Sequence, residues 1–149
     1  MHRRTFLTAT LALPVLTSGS ALFARSPGVF NTGGIAVHGY DVVAYFTMGQ
    51  AMQGDSEQAV KWGGAMWYFA SDEHRIAFEM NPRGYCPCYG GYCAYAMAQG
   101  QVATTVPEAW TLAGGKLYLN YSTDVRTLWR RDVPGNVARA DGFWPGALG

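Results

Sequence analysis

Charge is scarce in this chain: Asp, Glu, Lys and Arg make up 14% of 149 residues, and the formal net charge is +1. Setting aside Arg3 and Arg4 leaves nine basic residues against ten acidic ones. No basic stripe is left to bind a nucleic acid. Long apolar runs are missing as well. The mildly apolar stretch from Thr8 to Ala21 is broken by Pro14, Thr17, Ser18, Gly19 and Ser20, too short and too polar for a stable membrane span. The familiar catalytic signatures are absent too: no G-x-S-x-G, no H-E-x-x-H, no phosphate loop and no dinucleotide fingerprint. There is no C-x-x-C, which argues against a thioredoxin-like oxidoreductase. No internal repeat or low-complexity tract is present.

Apolar side chains are abundant, at 49% of residues with 14% aromatic. That composition excludes a disordered chain and suits one domain with a core built largely of rings. His2-Arg3-Arg4-Thr5-Phe6-Leu7 followed by the Thr8–Ala21 stretch reads as a twin-arginine signal over residues 1–24, with a general secretory signal as the alternative. Cleavage would follow Ala21 or Ala24. Both signals place the mature protein in the periplasm or outside the cell, where thiols tend to oxidise.

Residues 25–34 have no periodicity and are expected to be a linker. Ile35-Ala36-Val37 suggests a short strand, and Tyr40–Phe46 is an apolar run around Asp41, a buried strand or a short helical turn. Residues 47–58 are polar and read as a surface loop. Ala59–Trp62 and Met66–Ala70 flank Gly63-Gly64-Ala65, and Trp110–Leu112 and Lys116–Tyr121 flank Ala113-Gly114-Gly115; both read as hairpins. Ser71 is a suitable N-cap for a helix with Asp72 and Glu73 in its first turn; it carries His74, Ile76, Phe78 and Met80 at helical spacing and ends at Asn81-Pro82. A short helix is expected within Gly90–Gly100, another after Ser122 or Thr123 with Val125, Leu128 and Trp129 on one face, and a last one from Pro134 to Pro145. Without regular βαβ alternation this is an α+β domain: two β-hairpins packed against short helices, with a helical C-terminus.

All three cysteines lie between Tyr85 and Ala96, in Y-C-P-C-Y-G-G-Y-C-A-Y-A. Cys86, Cys88 and Cys93 are enough thiolates for a soft ion such as Cu(I) or Zn(II). Equally, an odd count in an oxidising compartment allows one disulfide and one free thiol, with Cys93 paired to Cys86 or Cys88 because a C-x-C bridge is strained. A helix starting at Cys93 would favour its thiolate, and a cysteine nucleophile with His74 as base is a third possibility. The same cysteine also suits a buried, inert role. The scattered methionines and His38 read as packing and surface residues. Asp41, a carboxylate within an apolar run, needs hydrogen-bonded partners if buried.

G-Y-D-V-V-A-Y-F (39–46), W-Y-F-A-S (67–71), N-P-R-G-Y (81–85), Y-G-G-Y-C-A (89–94) and K-L-Y-L-N-Y (116–121), with W-R-R-D-V-P-G and A-x-x-x-W-P near the end, resemble the exported YHS-domain proteins. The resemblance covers most of residues 35–146 and implies a link to metal handling, often beside copper or heavy-metal transporters. Short modules of that family carry cysteines where this chain has Ala44, Ala70 and His74, so their thiolate site is missing here. Cys93 resembles the exported branch's own thiol, whereas Cys86 and Cys88 look like additions. The resulting expectation is an exported domain binding copper, or zinc, through Cys93, His74, Cys86 and Cys88. The alternative is a disulfide-stapled domain that binds an organic ligand or a protein through a pocket of Tyr89, Tyr92, Tyr95 and Asp41.

Overall fold

The computed structural model describes residues 24–149; the twin-arginine pattern lies outside them. Six α-helices and two small sheets are found among the described residues, an α+β domain of the kind the element order predicts. No helix among them is long and apolar enough to cross a membrane.

The larger sheet has the order β1-β2-β4-β3, from β1 (Asn31–Thr32), β2 (Ile35–Ala36), β3 (Asp55–Trp62) and β4 (Ala65–Phe69). The β3–β4 hairpin is antiparallel and β2 runs parallel to β4. Strand β4 alternates as a half-buried strand should, sending Ala65, Trp67 and Phe69 inward. The second sheet is the ribbon of β5 (Trp110–Ala113) and β6 (Lys116–Leu119).

Helix α1 (Val42–Thr47) occupies the apolar run that the sequence leaves open between strand and helical turn. Helix α2 (Asp72–Met80) starts from the Ser71 cap as expected, its Oγ accepting from His74 N at 3.2 Å. Only Phe78 of α2 is fully buried; Ile76 and Met80 are exposed, so the inward stripe is narrower than its spacing suggests. Helices α3 (Pro82–Tyr85) and α4 (Ala94–Ala98) bracket the cysteine segment, and α5 (Thr123–Arg130) and α6 (Val133–Phe143) form the helical C-terminus.

Two regions differ from the sequence reading. Residues 25–34 are not a featureless linker: they contain β1, and the Val29 side chain lies in the core. The polar loop expected over 47–58 ends early, because β3 begins at Asp55, with a register shift between Asp55 and Ala59.

Two cores meet at the ribbon. One gathers Trp67, Phe69, Phe78, Tyr45 and the valines of α1; the other gathers Tyr89, Met97, Trp129 and Ala140. Alternation along β6 joins them, since Leu117 and Leu119 belong to the first and Tyr118 to the second. The ribbon is therefore a shared wall.

Candidate functional site

The cysteine segment follows α3, whose start is held by the Asn81 side chain accepting from Gly84 N at 3.2 Å. Cys86 is extended, with φ −60° and ψ 133°, and leads through Pro87 into a 3-10 turn over Cys88–Gly91. Within that turn Tyr89 and Gly90 are left-handed, at φ 58° and 63°. Glycine is required at the second position: a Cβ on Gly90 would lie 2.0 Å from the Gly28 carbonyl oxygen. The close approach is used, because Phe30 N donates to the Gly90 carbonyl at 2.9 Å. The Gly pair is thus a docking point for residues 28–30, and the helix expected across Gly90–Gly100 is confined to α4.

Cys93 is 1% exposed and caps α4. Its Sγ accepts from Ala96 N at 3.5 Å and Tyr121 N at 3.3 Å, and its thiol donates to Asn120 Oδ1 at 3.6 Å. Tyr95 N donates to the same Asn120 oxygen at 3.1 Å. Cys93 joins α4 to the end of β6 and faces no open space.

The buried Asp41 and the partly exposed His74 form a separate pair. Asp41 Oδ1 accepts from Val43 N and Ala44 N at 2.9 and 3.2 Å, which caps α1. Its Oδ2 accepts from Ala70 N at 2.8 Å and His74 Nδ1 at 2.6 Å. Because a carboxylate oxygen only accepts, Nδ1 carries the proton, and His74 Nε2 is left 3.3 Å from Thr47 Oγ. One carboxylate thereby ties α1, the end of β4 and α2 together. This is the hydrogen-bonding role that burial of Asp41 demands.

An open cleft lies between the two cores, at the turn end of the β5–β6 ribbon. Its volume is about 570 Å³. Trp62, Tyr89 and Trp144 supply rings, Cys86, Pro87 and Cys88 form one wall, and Arg83 and Lys116 are also in the lining, their charges felt at Cys86 and Cys88 respectively. Gly28, Val29 and the Gly114-Gly115 turn complete the lining. Cys86 packs against the first core and Cys88 against the second, so the C-P-C step bridges the two.

The wall thiols are protonated at neutral pH. Burial pushes Cys86 up from 9.0 to about 12, with the neighbouring Cys88 adding to the rise. Burial also raises Cys88, offset in part by the Tyr118 hydroxyl and the Lys116 charge. Burial raises Tyr118 to about 12, and raises Tyr89 too, whose hydroxyl donates to Asp141 Oδ1 at 2.9 Å.

The expected site residues thus fall in three places. Cys86, Cys88 and Tyr89 meet at the cleft; Cys93 is enclosed beside Asn120; His74 is engaged with Asp41. Tyr92 is buried with its hydroxyl donating to Pro27 O at 2.7 Å, and Tyr95 packs against the second core. All three cysteines carry free thiols. Among the described residues no three His, Cys, Asp or Glu side chains come together as a set able to hold a metal ion. Sequence reasoning missed Trp62, Arg83, Lys116 and Trp144 as site residues, because they come from four separate elements; only the Gly114-Gly115 signal hinted that Lys116 begins a strand at a turn. Comparison of the chain with protein-family models, curated proteins and solved structures gives no match.

Proposed function

We propose that this chain is an exported, non-enzymatic domain that binds a small organic ligand in the cleft between its two cores. The observation that carries this reading is the cleft itself: about 570 Å³, lined by Trp62, Tyr89 and Trp144 and bordered by a few polar groups. Ligand sites commonly enclose about 300–1,000 Å³ with mainly apolar and aromatic walls. Protonated thiols contribute soft, apolar surface to it rather than nucleophiles. The test is an aromatic fragment screen read by NMR. Indole N–H shifts of Trp62 and Trp144 that move together, and that vanish for Trp144→Ala, are the expected result. Hits that leave both indoles still, or no hits, defeat the proposal. Export is tested by sequencing the N-terminus of protein from a periplasmic fraction, with a start at Leu22 or Arg25 expected.

A soft-metal reading is supported by a narrower observation, the placement of Cys86 and Cys88 on one wall of the cleft. Two thiolates suit Cu(I), and the resemblance to exported YHS-domain proteins points the same way. The four-residue set with Cys93 and His74 does not fit, since both are engaged elsewhere. Metal uptake by Cys86 and Cys88 would have to release their protons, so affinity should rise with pH. Anaerobic Cu(I) titration decides: uptake lost in Cys86→Ser/Cys88→Ser but kept in His74→Ala supports the pair, and no stoichiometric uptake rules it out.

A further inference from the structure

We infer that the cleft selects an organic anion, with the acid group held by Arg83 and Lys116 and an aromatic body laid against Trp62, Tyr89 and Trp144. This rests on the cleft being the ligand site, and adds the charge and shape of what enters it.

Two cations border the cleft, and no Asp or Glu lines it. Neither cation is used elsewhere: the ion pairs among the described residues are His74 with Asp41 and Arg75 with Asp72 and Glu79. Asp141 is the acid nearest in influence, and its Oδ1 already accepts from the Tyr89 hydroxyl. The cleft lining therefore carries two positive charges and no negative one, on a chain whose net charge is close to zero.

The two cations differ in what they offer. A guanidinium presents a planar fork that matches the two oxygens of a carboxylate, phosphate or sulfonate, whereas an ammonium acts as a point charge on a flexible stem. They also arrive from different elements, Arg83 on α3 and Lys116 at the first position of β6. An acid group between them would link the C-P-C wall to the ribbon turn. The rings of the lining suit a flat apolar body, and a cationic ligand would meet the repulsion of both cations with no acid in the lining itself.

Isothermal titration of the purified chain with four naphthalene probes tests this. The probes are 2-naphthoate, 2-naphthyl phosphate, the neutral 2-naphthylmethanol and the cationic 2-naphthylmethylammonium. At low salt at least one anion should bind about tenfold more tightly than the alcohol, weakening as salt is added, and the cation should not bind. The ratio of the two anions distinguishes carboxylate from phosphoryl recognition. Arg83→Gln and Lys116→Gln should each weaken the anions by about 3–10-fold more than they weaken the alcohol. Both side chains are exposed, so neither change threatens the fold. Equal binding of alcohol and anions, with the Trp62 and Trp144 signals still moving, overturns anion selection and leaves the ligand cleft standing. Equal loss of all probes in the glutamine variants also overturns it. No binding in any arm removes both.

Discussion

Asp41 gathers three backbone N–H groups and an imidazole onto one side chain with no solvent exposure. An amide in its place has one accepting oxygen instead of two, and its NH₂ would face a donor. Asp41→Asn should therefore cost about 2–4 kcal/mol, since removing one partner leaves buried donors unsatisfied. Urea unfolding measures it, and a loss below about 1 kcal/mol would show that the pair is dispensable. The alkaline limb of stability belongs to the residue scale too. Cys86 rises from 9.0 to about 12 and Tyr118 from 10.0 to about 12 on folding, so the folded protein binds more protons than the unfolded chain between these values. Their stabilising effect is complete below about pH 9 and is lost as pH climbs toward 12. With a reductant present, the urea midpoint should fall steadily above about pH 9, and less steeply in Cys86→Ser. A midpoint that is level to about pH 11 would contradict the burial of these groups.

Turns and caps decide the elements, and the glycines separate two effects. Gly90→Ala must place a Cβ against the Gly28 carbonyl and hold alanine at φ 63°, so it should cost at least about 3 kcal/mol. Gly142 lies exposed in α6 with nothing near its would-be Cβ, and Gly142→Ala should stabilise by about 0.5–1 kcal/mol. Thermal unfolding of the two variants should move in opposite directions; movement in the same direction would refute the assignment. The helix starts were legible where a serine precedes acidic residues, as at Ser71 and Ser122. The Asp41 cap was not, because α1 is six residues long and its buried positions run consecutively from Val42 to Tyr45, leaving no helical period to detect. The β3 start at Asp55 was hidden for a related reason. Its first three residues are exposed and polar, and a strand without a buried face gives no alternation.

At the scale of the molecule, the β5–β6 ribbon makes two clusters into one folding unit. Leu117 is 1% exposed and belongs to the first core, one residue before Tyr118 of the second. Leu117→Ala should cost about 2–4 kcal/mol and keep one transition, in which tryptophan fluorescence and far-ultraviolet circular dichroism coincide. Separated transitions would mean that the clusters unfold independently. The composition, the Gly-Gly turns at 63–64 and 114–115 and the serine caps were enough to establish an α+β domain, because each acts through a few neighbouring residues. The same local reading singled out Cys86 and Cys88. It could not tell that Cys93 would be enclosed, that His74 would be taken by a carboxylate thirty-three positions earlier, or that Trp62, Arg83, Lys116 and Trp144 would share a cleft. Those relations are set by how the chain folds back on itself, and spacing along the sequence carries no record of which distant side chain occupies a hydrogen-bonding partner or a wall.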